Sequence, residues 1–359
     1  MSMPPQQRPP DWQQGPWPPQ PPPPLPDFAP DKKNAVKWLL IAVAVLLVIG
    51  VTVVATLFFT RDSGGGTSAA SSSAVPSDIA SADDTGPVTV VTEEPTCDAL
   101  YGINSSLATI QGNGWGDQRG TLGPVSEWTT EQHTQVQGVA TAIRNAADQM
   151  VALAKQTPHR VVRELYEQYI AYGRAYADSI PHYTPSDNLL ASANVNISNV
   201  LFGICNSIRY KSAGRSLGLE AVMPPTKVGD VGEPGSQERF ISSSNSSCSA
   251  WTSKGNKFLG DLTAWQAADS NVPGPQWTPE QRAVQLAAFP IIETFANDIE
   301  STGRQSGNPV FEDVAVLGAL YFRAYVSAGE GYSAADSWLA YTGLRVNNAI
   351  SDACQAAGS

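Results

Sequence analysis

The side chains best suited to binding a ligand are those of Arg174 and Arg323. Each of these arginines lies in the middle of a predicted helix. Tyrosines flank each arginine at a spacing of two residues. Guanidinium and phenol groups placed together bind anionic or glycan ligands through paired hydrogen bonds and stacking. The candidate ligand-binding residues are therefore Tyr172, Arg174, Tyr176 and Asp187, with Tyr321, Arg323, Tyr325 and Asp336.

A purely structural role competes with ligand binding at these positions. Residues two apart on a helix point in different directions, so each arginine lies on another face than its tyrosines. An aspartate stands at the start of the next predicted helix in both cases, which favours the ion pairs Arg174–Asp187 and Arg323–Asp336. We expect these ion pairs, with the ligand site as the alternative.

No other constellation points to chemistry, and we expect no catalytic site, no metal and no cofactor. The three histidines, His133, His159 and His182, are scattered rather than spaced as metal ligands. Glu131 and Glu280 each fall in the first turn of a predicted helix, where a carboxylate meets the positive end of the dipole. The net charge of −11 excludes a nucleic-acid binder, which needs a basic surface.

These residues belong to an internal repeat with an offset of 149 residues. The sequence Trp-Thr-Thr-Glu-Gln at 128–132 recurs as Trp-Thr-Pro-Glu-Gln at 277–281. Tyr172, Arg174, Ala175 and Tyr176 recur at the same offset, and no gap is needed up to the last cysteine. Matches of this kind predict a tandem duplication.

Each copy is predicted to form four helices, so the predicted fold class is all-α with two four-helix bundles. Apolar residues recur at three- and four-residue steps, and no segment alternates as a strand would. Thr129 with Gln132, and Thr278 with Gln281, have the spacing of capping boxes at helix starts. Short connections favour an up-down-up-down arrangement in each copy.

The repeat predicts how the four cysteines pair. Cys97–Cys205 and Cys248–Cys354 would each join the first helix of a copy to the end of its fourth, closing that copy with one disulfide. The alternative bond Cys205–Cys248 would instead join the two copies across their linker. Disulfides indicate an oxidising compartment.

The segments that flank the repeat indicate a membrane protein. Residues 38–59 are twenty-two uncharged residues, long enough at ~1.5 Å per residue to cross a bilayer as a signal anchor. The predicted organisation is a disordered Pro-rich cytoplasmic tail (1–31), a transmembrane helix (38–59), a Gly/Ser/Thr-rich acidic stalk (60–96), a first helical bundle (97–211), a linker (212–247) and a second helical bundle (248–355).

Lysines set the predicted orientation. Lys32, Lys33 and Lys37 precede the span, which places the N-terminus in the cytoplasm and the rest outside the plasma membrane. Within the Pro-rich tail, Trp12 and Trp17 are candidate partner-docking residues on a pre-extended backbone.

The leader PPDWQQGPWPPQPPPP, the apolar span and the Ser/Ala/Thr/Asp stalk resemble actinobacterial, particularly mycobacterial, single-pass envelope proteins. The resemblance covers about a quarter of the chain. It implies a plasma-membrane protein that faces the cell-wall space, where such proteins belong to assembly or transport complexes.

These features favour a non-catalytic binding or scaffolding protein of the bacterial envelope. Its partners would be envelope proteins or a small envelope ligand, lipid or glycan, with a cytoplasmic partner for the tail. A ligand sensor that signals through the span to the tail is the alternative hypothesis. An envelope hydrolase is the third.

Overall fold

The computed structural model describes residues 78–358. The predicted tail with Trp12 and Trp17, the predicted span at 38–59 and most of the predicted stalk lie outside the described residues. Residues 78–358 belong to one compact unit.

The described part of the chain is built from α-helices joined by 3₁₀ turns, and no strand occurs within it. The all-α prediction is confirmed for these residues. In chain order the α-helices are α1 (Cys97–Gln111), α2 (Trp115–Gln118), α3 (Thr130–Gln156), α4 (Arg160–Ser179), α5 (Asn188–Arg209), α6 (Ser246–Asp261), α7 (Thr263–Gln266), α8 (Pro279–Gln305), α9 (Pro309–Ala328) and α10 (Ser337–Ala356).

The two longest helices, α3 and α8, begin at the predicted capping boxes. The hydroxyl of Thr129 accepts a hydrogen bond from the backbone N–H of Gln132 at 3.2 Å, and the Gln132 side chain accepts one from the backbone of Thr129. Thr278 and Gln281 repeat this geometry in the second half. Each box satisfies two amide groups that a helix start otherwise leaves unpaired.

The two disulfides, Cys97–Cys205 and Cys248–Cys354, join α1 to α5 and α6 to α10. This is the pairing favoured by the repeat, and the described residues contain no free cysteine. Each disulfide therefore ties the first long helix of a half to the last.

Helices α5 and α10 pack against each other and give both halves one shared hydrophobic core. A Cβ atom added at Gly203 of α5 would overlap the side chain of Thr342 on α10, which shows how closely the helices approach. The two halves therefore share a core, which the prediction of two four-helix bundles did not include. Both helices carry apolar residues on more than one face, and contact with the other half covers the second face.

Asp352 is a buried carboxylate in this interface between α5 and α10. It accepts a hydrogen bond from the side-chain amide of Asn196 at 2.8 Å. Burial raises its pKa from 3.8 to about 6, against the opposing effects of Asn196, Arg119 and Arg345. The folded state thus binds the proton more tightly than the unfolded chain does.

We expect Asp352→Asn to stabilise the protein at pH 7.5 by up to about 3 kcal/mol, the equivalent of the pKa difference. Because the folded pKa is the higher one, the charge destabilises the fold as pH rises from about 4 through about 6. The gain should vanish below pH 4. Denaturation measured from pH 3.5 to 8 tests this expectation, and an equal difference at every pH would contradict it.

Residues 78–96 are packed against the helices, so the predicted stalk is wrong for this segment. Val90 and Val91 are buried, and the backbone N–H of Ala80 donates to the carbonyl of Lys155 at 2.9 Å. The backbone N–H of Arg160 donates to the Asp84 carboxylate at 2.7 Å. The valines of residues 78–96 supply the apolar surface that the rest of the predicted stalk lacks.

The predicted linker at 212–247 is also packed on the helices. It opens with a 3₁₀ helix, Ser212–Gly218, and later buries Ile241, whose carbonyl accepts a hydrogen bond from the Tyr172 hydroxyl at 3.2 Å. The carbonyl of Phe240 accepts one from the Asn308 side chain. The linker thus contacts both halves.

One helical stretch in the described residues, Pro185–Arg209, is long and apolar enough by composition to cross a bilayer. Its apolar window is 56% buried within the protein. Because it contains α5, with Cys205 near its end and α10 against its side, we assign it to the core.

Candidate functional site

The four candidate tyrosines are buried in the helical core. Tyr172 and Tyr321 have no exposed surface, and Tyr176 and Tyr325 have almost none. The indole N–H of Trp115 donates to the Tyr176 hydroxyl at 3.1 Å, and Trp265 does the same to Tyr325 at 2.8 Å. Burial raises the pKa of all four hydroxyls, which keeps them neutral.

Each candidate arginine donates a hydrogen bond to a residue of the preceding helix. Arg174 donates to the Asp148 carboxylate at 2.7 Å and to the carbonyl of Gly235. Arg323 donates to Glu300 at 2.6 Å and to Asn297 at 2.7 Å. Asp148 and Asn297 are themselves 149 residues apart, and this correspondence was the signal that the sequence prediction missed.

The candidate aspartates have other partners, so the predicted ion pairs Arg174–Asp187 and Arg323–Asp336 are wrong. The Asp187 carboxylate accepts hydrogen bonds from the backbone and hydroxyl of Thr184. Asp336 accepts two from Arg215, both at 3.0 Å. Each aspartate closes the turn before the last long helix of its half, where an arginine of the preceding helix does not reach it. The eight candidate residues do not converge on one groove.

A pocket of about 450 Å³ lies between α1 and α5 of the first half. Leu107 and Ala108 line it from α1, and Val195 and Phe202 line it from α5. Tyr169 reaches it from α4. Its volume and mostly apolar lining are those of small-molecule sites, so it is the candidate functional site.

Two buried polar atoms of residues that line this pocket have no hydrogen-bond partner in the described residues. They are the hydroxyl of Tyr169 and the side-chain nitrogen of Gln111. The Asn194 side chain, also in the lining, donates to the backbone carbonyl of Tyr169 at 2.7 Å. Unpaired buried polar atoms are costly in a folded protein, and a ligand is one way to pair them.

One end of the pocket is positively charged. Arg209 lines the pocket there, with its guanidinium carbon 5.6 Å from the centre of the Tyr101 ring. The Tyr101 hydroxyl donates to Asn206 at 3.2 Å. Arg209 is exposed and forms no ion pair with a carboxylate of residues 78–358.

In the second half three phenylalanine rings pack together, and one of them, Phe258, is the counterpart of a residue that lines the pocket. Phe258 and Phe295 stack with ring centres 3.9 Å apart, and Phe322 meets both edge-on. At the repeat offsets these three correspond to small or aliphatic residues of the first half: Leu107, Ala146 and Gly173. The counterpart of Tyr169 is Gly318, which lies against Val346.

We expect Tyr169→Phe to raise the free energy of unfolding by about 1–3 kcal/mol, because it removes a buried hydroxyl without a partner. Tyr166→Phe is the matched control. The Tyr166 hydroxyl is equally buried but shares a 2.7 Å hydrogen bond with Thr96, so its loss should destabilise the fold. Denaturation with urea measures both, and equal losses in the two variants would contradict the assignment.

A cluster of charged side chains lies where α4 and α9 meet. Arg160 donates two hydrogen bonds to Asp313, at 2.7 and 3.2 Å, and both side chains are almost fully buried. Neighbouring Glu164 is also buried, and neither of its carboxyl oxygens has a hydrogen-bond partner in the described residues. Burial, followed by the charge of Asp313, raises the pKa of Glu164 well above its usual range. This cluster joins the two halves.

No group of three or more His, Cys, Asp or Glu residues within 78–358 is arranged to hold a metal ion.

Comparison with known proteins places this helical chain in a mycobacterial family. The family described as Mycobacterial ESX-1 associated protein matches residues 79–358, and the chain belongs to it. An uncharacterised protein of Mycolicibacterium smegmatis (strain MKD8) is 42% identical over 333 residues, covering 91% of this chain and 88% of the relative. The mycobacterial resemblance is thereby confirmed. No solved structure matches the chain.

Proposed function

We propose that the protein is a membrane-anchored binding and scaffolding component of the mycobacterial envelope, without catalytic activity, that works with the ESX-1 secretion system. The family match carries this proposal, because it spans residues 79–358, nearly all of the described chain. The helices within it are closed by two disulfides and a shared core, which suits a rigid platform for partners.

The proposed topology puts the helical unit outside the plasma membrane. Three lysines before residues 38–59 favour a cytoplasmic N-terminus. Disulfides persist in oxidising compartments and are rare in the cytosol, so the two bonds of the helical unit support the same orientation.

We also infer that the two halves arose by duplication. Residues at equivalent repeat positions meet across the interface, as in a two-fold dimer. Arg345 donates to Asn196, its counterpart at the offset of 149, at 3.3 Å. Asp313 is the counterpart of Glu164, and its charge helps to raise the pKa of the Glu164 carboxyl. On this view one half kept an open pocket and the other filled it with phenylalanine.

Cross-linking in living mycobacteria followed by affinity purification tests the proposed function. The full-length chain should recover proteins of the ESX-1 system or the envelope. A chain lacking residues 2–30, and the variant Trp12→Ala/Trp17→Ala as its point-substitution counterpart, should lose any cytoplasmic partner and retain the outer ones. Recovery of no envelope or secretion protein with the full-length chain would overturn the proposal.

A further inference from the structure

The pocket between α1 and α5 has one end that is both aromatic and cationic. The rings of Tyr101 and Phe202 meet edge to face with their centres 5.5 Å apart, and both rings belong to residues that line the pocket. The Tyr101 hydroxyl donates to the Asn206 side chain, which holds the tyrosine in place. The guanidinium carbon of Arg209 lies 5.6 Å from the centre of the Tyr101 ring. Arg209 is exposed and has no carboxylate partner among residues 78–358, so its charge is available to an anion.

Uncharged polar side chains line the pocket one helical turn away from these two rings. On α1 they are Asn104 and Ser105, and on α5 they are Ser198 and Asn199. The Ser198 hydroxyl donates to the side-chain oxygen of Asn104 at 3.2 Å, which joins the two helices. The Asn104 amide nitrogen, the Ser105 hydroxyl and the Asn199 side-chain amide make no hydrogen bond within the described residues. The middle of the pocket therefore offers free donors and acceptors beside aromatic surface.

The second half lacks this combination at the equivalent positions. At the repeat offsets, Asn104 corresponds to Gly255 and Arg209 corresponds to Gly358. Helix α6 there approaches α10 closely, since a Cβ atom added at Gly255 would lie 2.8 Å from the Asn347 side chain. The amide and the guanidinium are specific to the first half, which indicates that the duplicated fold does not require them.

We propose that this pocket binds an anionic saccharide, a small sugar that carries a carboxylate or a phosphate group. A sugar ring has a face of C–H groups, which packs on aromatic rings, and a rim of hydroxyl groups, which donate and accept hydrogen bonds. Phe202 would contact the face, while Asn104 and Asn199 would bond with the hydroxyl groups. Arg209 would pair with the anionic group. The pocket volume of about 450 Å³ admits a ligand of this size.

The polar lining favours a saccharide over a lipid tail. A hydrocarbon chain would remove the amides and hydroxyls in the middle of the pocket from water without giving them partners. Carboxylate and phosphate both pair with a guanidinium, so the experiment decides between them. This inference rests on the proposed binding function and names the ligand class for it.

A glycan array probed with the full-length chain in lipid nanodiscs tests the proposal. Nanodiscs avoid maltoside detergents, which themselves present a sugar. The array carries oligomers of glucose, galactose, mannose and N-acetylglucosamine, each beside its uronic-acid and 6-phosphate counterparts. At least one acidic saccharide should bind about tenfold or more tightly than its neutral counterpart, the equivalent of one hydrogen bond to a charged group. The uronic-acid and phosphate members show which anion the site takes.

Two substitutions separate the role of the charge from that of the amide. Arg209→Gln should bring the ratio of acidic to neutral affinity to about one, whereas Lys211→Gln, which removes an exposed charge outside the pocket, should leave the ratio unchanged. Asn199→Ala should weaken both saccharides by about fivefold and leave their ratio unchanged. Because Asn199 makes no side-chain hydrogen bond within the described residues, this variant should fold as the native chain does.

Ala108→Trp and Thr109→Trp form a matched pair of adjacent, exposed substitutions on α1. Ala108 lines the pocket and Thr109 does not. The indole at position 108 should lower the affinity for the best-binding acidic saccharide by about tenfold or more, while the indole at 109 should leave it within about twofold. Circular dichroism establishes that each variant is folded. If Ala108→Trp does not fold, the responses to Arg209→Gln and Asn199→Ala decide the outcome.

Several results would contradict the proposal. Binding of no saccharide on the array, or equal binding of every acidic saccharide and its neutral counterpart, would rule out the anionic sugar. Equal effects of Arg209→Gln and Lys211→Gln would show that general charge, rather than this pocket, attracts the acid. Equal effects of the two tryptophan variants would place the binding site elsewhere. Binding at this pocket without recovery of any envelope or secretion protein in the cross-linking experiment would instead refute the scaffolding role and leave the ligand in place.

Discussion

Replacing Asp313 with alanine is expected to lower the free energy of unfolding by about 3–5 kcal/mol, because it leaves the buried Arg160 guanidinium with only the more distant, partly exposed Asp84 carboxylate as an ion-pair partner. Arg160 is only 2% exposed and donates hydrogen bonds to both carboxylate oxygens of Asp313. Its remaining hydrogen bonds go to the carbonyl groups of Asp84 and Gly86, which carry no full charge. Urea denaturation of the full-length chain in detergent measures the loss.

The double variant Arg160→Met/Asp313→Leu is the control for this effect. It removes both charges together and keeps comparable side-chain volume, so most of the lost stability should return. A double variant as unstable as Asp313→Ala would show that packing, rather than an unpaired charge, causes the loss. Asp84→Ala should cost less, because Asp84 is partly exposed and the pair at 3.7 Å is longer.

Removal of either disulfide is expected to lower the free energy of unfolding by a similar amount. The Cys97→Ser/Cys205→Ser variant should lose about 4–5 kcal/mol, the chain-entropy contribution of a loop of about a hundred residues. Cys248→Ser/Cys354→Ser should lose nearly the same amount, because the two bonds have sequence separations of 108 and 106. Thermal unfolding with and without reductant compares them.

A large difference between the two disulfide variants would contradict the entropic explanation, since loop length is almost identical. Reductant should remove the difference between each variant and the native chain. If it does not, the serine substitutions themselves disturb the packing around α5 or α10.

Local signals in the sequence predicted most of the helical framework. Thr129 with Gln132 marks a helix start through hydrogen bonds that involve only neighbouring residues. The repeat then favoured the two disulfides, because it gave each cysteine an equivalent. Short helix α2 was not predicted, although Trp115 anchors that helix in the core.

Long-range packing decided what the sequence did not predict. Residues 78–96 read as a polar stalk because Val90 and Val91 are few in number, yet a preformed helical surface is enough to bury them. Arg174 pairs with Asp148 on the preceding helix rather than with Asp187. Which carboxylate it reaches depends on how α4 is rotated about its own axis. The pocket was not predicted from the sequence because a small lining residue such as Ala108 looks like ordinary helix surface.

The placement of the disulfides divides the chain into two covalent rings, 97–205 and 248–354, joined only by the segment between them. A protease cut within a ring leaves the polypeptide in one piece. A cut at 219–233, around exposed Met223, produces two separate molecules, each carrying one intact ring. Because α5 and α10 share a core, these fragments should stay together in native buffer and separate only in denaturant. The protein is therefore suited to split-protein complementation, with each ring expressed as its own chain.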